Sequence, residues 1–112
     1  MESRFRLRDN ERFQTVRREG QSWPHTLLVL CALANGLPQT RFGFSVSKRI
    51  GGAVVRNRVK RWLREATRAR RPQVAPGYDL VFIARRPIAQ ADYSEVDQAV
   101  GELLKRSGML HS

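Results

Sequence analysis

A chain of 112 residues can close one modest hydrophobic core and has little material for a second, so a single domain spanning residues 1–112 is expected. Hydrophobic residues make up 41% of it, which excludes a wholly disordered chain, and 21 Lys and Arg against 10 Asp and Glu leave a net charge of +11. Solubility requires far less charge than that, so the expected partner is a polyanion.

Cys31 is the one cysteine, which excludes an internal disulfide, a Cys-x-x-Cys redox pair and a Cys/His zinc site. The longest apolar run, 27–34, is too short to span a bilayer, and the charged start MESRFRLRDNERF has no apolar signal core. A reducing, cytoplasmic location with no membrane partner is expected.

In chain order, Asp9 or Asn10 can cap a first helix running to about Arg18, with Phe13 and Val16 on one face and Gly20 beyond its end. Ser22-Trp23-Pro24 reads as a break before the strand-length run TLLVLCAL, and Asn35-Gly36-Leu37-Pro38 as a turn. From Arg41 to Ser47 the sequence alternates, with Phe42, Phe44 and Val46 on one side and Gly43, Ser45 and Ser47 on the other, which predicts a strand. Gly51-Gly52 then opens a long helix that ends before Pro72. A strand over 78–84 and a helix from Asp92 or Tyr93 to about Gly108 complete the order α-β-β-α-β-α. The long helix can serve as the crossover between two parallel strands, giving an α/β (α+β) two-layer sandwich on a small mixed sheet.

Residues 48–71 hold ten basic residues and only Glu65 as an acid. On a helical projection Val55, Val59, Trp62, Leu63, Ala66 and Ala69 share one arc, and Arg56, Asn57, Lys60, Arg64, Arg68 and Arg71 share the opposite one. Like charges at i and i+4 destabilise an isolated helix, so their accumulation points to a bound nucleic acid that offsets the repulsion. Charge alone does not separate RNA from DNA. A membrane-surface helix would have to turn its apolar arc to lipid, whereas here the strands need that arc as cover. Neither His25 nor His111 has a partner that suggests catalysis, and no carboxylate pair is spaced for acid–base or metal chemistry.

The string Lys48-x-x-Gly51-x-Ala53-Val54-x-Arg56-Asn57-x-x-Lys60-Arg61-x-x-Arg64-Glu65, with Arg56-Asn57-Arg58 at its centre, resembles the signature of the bacterial ribonuclease P protein component. The likeness extends to Arg6-Leu7, Phe13, Phe42 to Ser47, Tyr78-Asp79-Leu80-Val81 and Ala84-Arg85. It implies a left-handed β-α-β crossover and a ribonucleoprotein endonuclease, a hydrolase of tRNA processing, whose RNA subunit does the chemistry with magnesium. The expected partners are that catalytic RNA and precursor tRNA, with no cofactor held by the protein. By resemblance, Lys48, Arg49, Arg56, Asn57, Arg58, Lys60, Arg61, Arg64 and Arg68 bind RNA. Phe13, Arg17, Val29, Cys31, Lys48 and Arg56 would line a cleft for the single-stranded 5′ leader. Arg17 and Cys31 stand where relatives often carry an aromatic residue, so this cleft is expected to lean on phosphate contacts more than on stacking. The rival reading is a structural ribosomal or assembly protein with a similar basic domain; a self-sufficient nuclease would need protein metal ligands that the sequence does not offer.

Overall fold

The computed structural model describes residues 2–110. Its helices are α1 (Asn10–Glu19), α2 (Ala53–Arg70) and α3 (Tyr93–Arg106), and its strands β1 (Gln21–Pro24), β2 (Leu28–Ala34), β3 (Arg41–Ser45) and β4 (Tyr78–Ala84). The caps are local in origin. Asp9 accepts a bond from the Glu11 amide at 2.9 Å, and Asp92 and Glu95 form a reciprocal capping box at the start of α3.

The strands form one mixed sheet in the order β1-β2-β4-β3. β2 runs antiparallel to both β1 and β4, while β3 and β4 are parallel neighbours joined through α2, the expected crossover. One expectation is corrected here. Ser22-Trp23-Pro24 is not a break but most of β1, a four-residue edge strand whose proline sits at its end, where a missing N–H costs the ladder little. β3 also stops at Ser45, because Val46 and Ser47 turn away and the Ser47 carbonyl accepts from the Ile50 amide.

Alternation along β2 and β4 divides the sheet into two faces. Leu28, Leu30, Leu80 and Phe82 point to one side and join Val59, Leu63, Val96, Val100, Leu103 and Leu104 in the main core under α2 and α3. Cys31 and Val81 point to the other side, where Leu7 and Val16 join them beneath α1. The expected two-layer packing is therefore the sheet against α2 and α3, with α1 lying alone across the opposite face. Arg70 locks α2 to α3 through Asp97 at 2.7 Å, and its guanidinium lies so close over Gly101 that a Cβ there would come within 2.8 Å of Nη2.

Candidate nucleic-acid interface

α2 has three different sides. Val59, Leu63, Ala66 and Thr67 are buried against the sheet, and the Thr67 hydroxyl is satisfied by the carbonyls of Leu63 and Arg64 at 2.9 and 3.1 Å. Ala69, expected in the packing arc, is exposed; Thr67 takes its place because a back-bonded hydroxyl can be buried. The crest carries Asn57, Arg61 and Arg68 in solvent, together with Val54, which is 80% exposed.

Several expected RNA ligands are occupied inside the protein. The Arg58 guanidinium sits 5.2 Å over the Trp62 ring and donates to the Ala89 carbonyl at 3.3 Å. Arg71, placed on the outward arc by projection, instead lies 3.9 Å over Phe5 and 3.6 Å from Glu2. Arg56 donates from Nε to the Gly51 carbonyl at 3.0 Å, tying the first turn of α2 to the loop before it. By contrast, Lys48, Arg49, Lys60, Arg61, Arg64 and Arg68 form no ion pair among the described residues.

Lys60 and Arg64 lie on the flank of α2 that faces α1. Between the two helices is an open cavity of about 350 Å³ with Phe13, Phe42 and Phe44 on its walls and Asn10, Gln14 and Ser45 as neutral polar groups. Its charged lining is Arg6, Arg8, Arg17, Lys60 and Arg64, with no acid among them. Partial burial pulls the Arg6 pKa down, and repulsion from Arg8 and Arg64 adds to the shift. Phe13 is half-buried and lies directly on β3: a Cβ on Gly43 would be 2.5 Å from its Cζ, which explains a glycine in the middle of that strand. The ring thus packs against the sheet and lines the cavity at once.

Crowded cations without a counter-charge should gain from a bound anion. Sulfate is therefore expected to raise the melting temperature above that in chloride at matched ionic strength, and coincident melts would count against the anion site.

Of the residues expected in one cleft, Phe13 and Arg17 share this cavity, with Lys60 and Arg64 as its other wall. Val29 is half-buried and Cys31 only 5% exposed, both in the apolar cluster under α1. Burial pushes the Cys31 thiol pKa up, and nearby Arg17 offsets only part of the shift. Lys48 is exposed in the turn after β3, and Arg56 is half-buried at the start of α2.

A second basic depression, also about 350 Å³, is lined by Ser47, Arg49, Arg85 and Arg86 where β3 and β4 end. Ser45 lines the first cavity and Ser47, past the end of β3, lines the second. The sequence pattern assigns no binding role to Arg6, Arg8, Arg85 or Arg86. Arg6 and Arg8 arrive only because the N-terminal segment docks on β3, the Leu7 amide bonding the Phe42 carbonyl at 2.8 Å.

Elsewhere, His25 is held between Glu102, 3.0 Å from Nε2, and the Leu27 amide, which donates to Nδ1; His111 lies outside the described residues. Among the described residues no three His, Cys, Asp or Glu side chains group as a metal site would require, and no helix is long and apolar enough to cross a membrane.

A family model described as ribonuclease P matches residues 1–108. The ribonuclease P protein component of Roseiflexus castenholzii is 47% identical over 111 residues, covering 98% of this chain and 91% of the relative. That of Alkaliphilus oremlandii is 41% identical over 107 residues, covering 96% and 94%. Among solved structures, the Staphylococcus aureus RNase P protein superposes with a TM-score of 0.89 at 28% identity, covering 96% of this chain and 98% of that one. The Thermotoga maritima RNase P protein gives 0.83 at 32%, covering 90% and 96%.

Proposed function

Because the chain belongs to the ribonuclease P protein family, we propose that it is the protein subunit of a cytoplasmic ribonuclease P, binding both the catalytic RNA and the 5′ leader of precursor tRNA. The observation that carries this reading is the acid-free cavity between α1 and α2, which five cationic side chains line together with Phe13, Phe42 and Phe44. Lys60, Arg64, Arg6, Arg8 and Arg17 would hold leader phosphates, and Phe13 would take the face of an unpaired base, which duplex RNA does not present. Arg49, Arg85 and Arg86, which line the second depression, would offer further phosphate contacts. The crest of α2, with Asn57, Arg61 and Arg68, is the surface left for the catalytic RNA.

A cavity walled by guanidinium and ammonium groups repels a divalent cation, so these residues do not fit magnesium. RNA-bound magnesium would supply the activated water and stabilise the leaving oxygen. The protein's part is to fix the leader so that the scissile bond is presented in one register, and to neutralise phosphate repulsion between substrate and RNA subunit.

Precursor cleavage at low magnesium tests the assignment. Protein and RNA subunit together should cleave, while either alone should not. Cleavage by protein alone would overturn the division of labour, and failure to stimulate the RNA would favour the ribosomal or assembly-protein reading.

A further inference from the structure

Asp79 on β4 is fully buried, yet nothing in the proposed function uses it. Its carboxylate collects donors from three separate elements. Arg41 on β3 reaches Oδ1 from Nε at 2.9 Å and Oδ2 from Nη2 at 2.8 Å. Asn35, in the turn after β2, donates to Oδ1 at 3.0 Å, and Arg12 on α1 donates from Nε to Oδ2 at 2.6 Å. Arg12 also donates from Nη2 to the Ala34 carbonyl at 3.0 Å.

α1 needs such an anchor. It has ten residues, and Val16 is the only fully buried one. With Val16 and the half-buried Phe13 as its apolar contacts on the sheet, the helix is held largely by non-directional packing, to which an ion pair of fixed geometry adds a constraint on its roll. Arg12 and Val16 form one i, i+4 row of α1; Phe13 and Arg17 form the adjacent row, about 100° around the helix, and line the cavity. The bond from Arg12 to Asp79 therefore fixes the roll that aims Phe13 and Arg17.

We infer that Arg12 is a positioning residue for substrate recognition: held by buried Asp79, it sets the orientation of the α1 wall of the cavity and so the preference for leader-bearing precursor over mature tRNA. This rests on the function proposed above. Arg12 acts through its neighbours, because its guanidinium points into the Asp79 network and does not line the cavity.

The test compares Arg12→Met with Arg41→Met in the reconstituted holoenzyme, reading the ratio of affinities for leader-bearing precursor and mature tRNA. Both variants remove donors from the same carboxylate, but only the first releases α1. Arg12→Met should lower the ratio by about ten-fold, the equivalent of one misplaced stacked base. Arg41→Met should leave the ratio near that of the wild type despite its own loss of melting temperature. Equal effects of the two would mean that network stability alone is at work and would overturn the inference. So would an Arg12→Met enzyme that discriminates like the wild type. Should Arg12→Met not fold, Arg12→Gln, which keeps an uncharged amide donor of shorter reach, takes its place with the same two deciding outcomes. A wild-type holoenzyme without leader preference would instead remove the functional reading itself, and this inference with it.

Discussion

Asp79→Ala is expected to lower stability by roughly 3–5 kcal/mol, because it leaves Arg12, Arg41 and Asn35 facing an uncharged gap. That corresponds to a melting temperature lower by about 10–20 °C for a domain of this size. The wild type should also carry an acid-sensitive component. Burial alone would raise the Asp79 pKa, but hydrogen bonds from Arg41, Asn35 and Arg12 outweigh it and hold the carboxyl below its ordinary value. A pKa lower in the folded than in the unfolded chain gives stability that is complete above the ordinary carboxylate range. That stability drains away as pH falls through the unfolded value toward the folded one. Denaturant titrations at neutral pH and at successively more acid pH should show this decline in the wild type and a flatter acid limb in Asp79→Asn. An alanine variant that melts with the wild type would refute the role of the network.

Reversing Lys60 and Arg64 together to Glu is expected to cost the largest factor in binding. Both side chains lie in the acid-free cavity, and each phosphate left without its cation takes about 0.7 from the slope of log affinity against log salt for a single strand. The double variant should therefore bind precursor about 100-fold more weakly at low salt, with a slope shallower by roughly 1.4. Its fold should survive, and its melt should not fall, because Arg64 is one of the charges that press on Arg6. Arg61→Glu with Arg68→Glu is the contrasting pair: on the crest, it should weaken assembly with the catalytic RNA and leave the leader preference in place. An unchanged salt slope in folded Lys60→Glu/Arg64→Glu protein would mean that the cavity does not touch phosphate.

Much of this architecture was legible in the sequence because it follows from local periodicity. The strict alternation through Phe42 and Phe44, the apolar arc of α2 and the caps at Asp9 and Asp92 are each set by a few neighbouring residues. What escaped depends on pairing across the chain. β1 has no alternation of its own and exists because β2 offers it a ladder, Trp23 opposite Leu30. A helical projection separates charge from apolar surface on α2, but it cannot tell Arg61 on the crest from Arg58 stacked on Trp62 or Arg71 on Phe5, since those partners are set by side-chain packing and distant segments. The joining of Phe13 and Arg17 with Lys60 and Arg64 was likewise out of reach, because two helices from opposite faces of the sheet meet there only after folding.

The burial of Cys31 gives the molecule an internal clock. The chain has no other thiol, and this one lies beneath α1, with its thiolate disfavoured by the apolar surroundings. With Cys31 only 5% exposed beneath α1, alkylation should be slow in the closed state and should speed up with the population in which α1 has lifted, becoming independent of reagent only where reagent outpaces reclosing. α1 is the thinnest layer of the fold, and its lifting would open one wall of the cavity while the main core under α2 and α3 stays closed. That thiol thus makes the breathing of the α1 wall of the cavity measurable on its own.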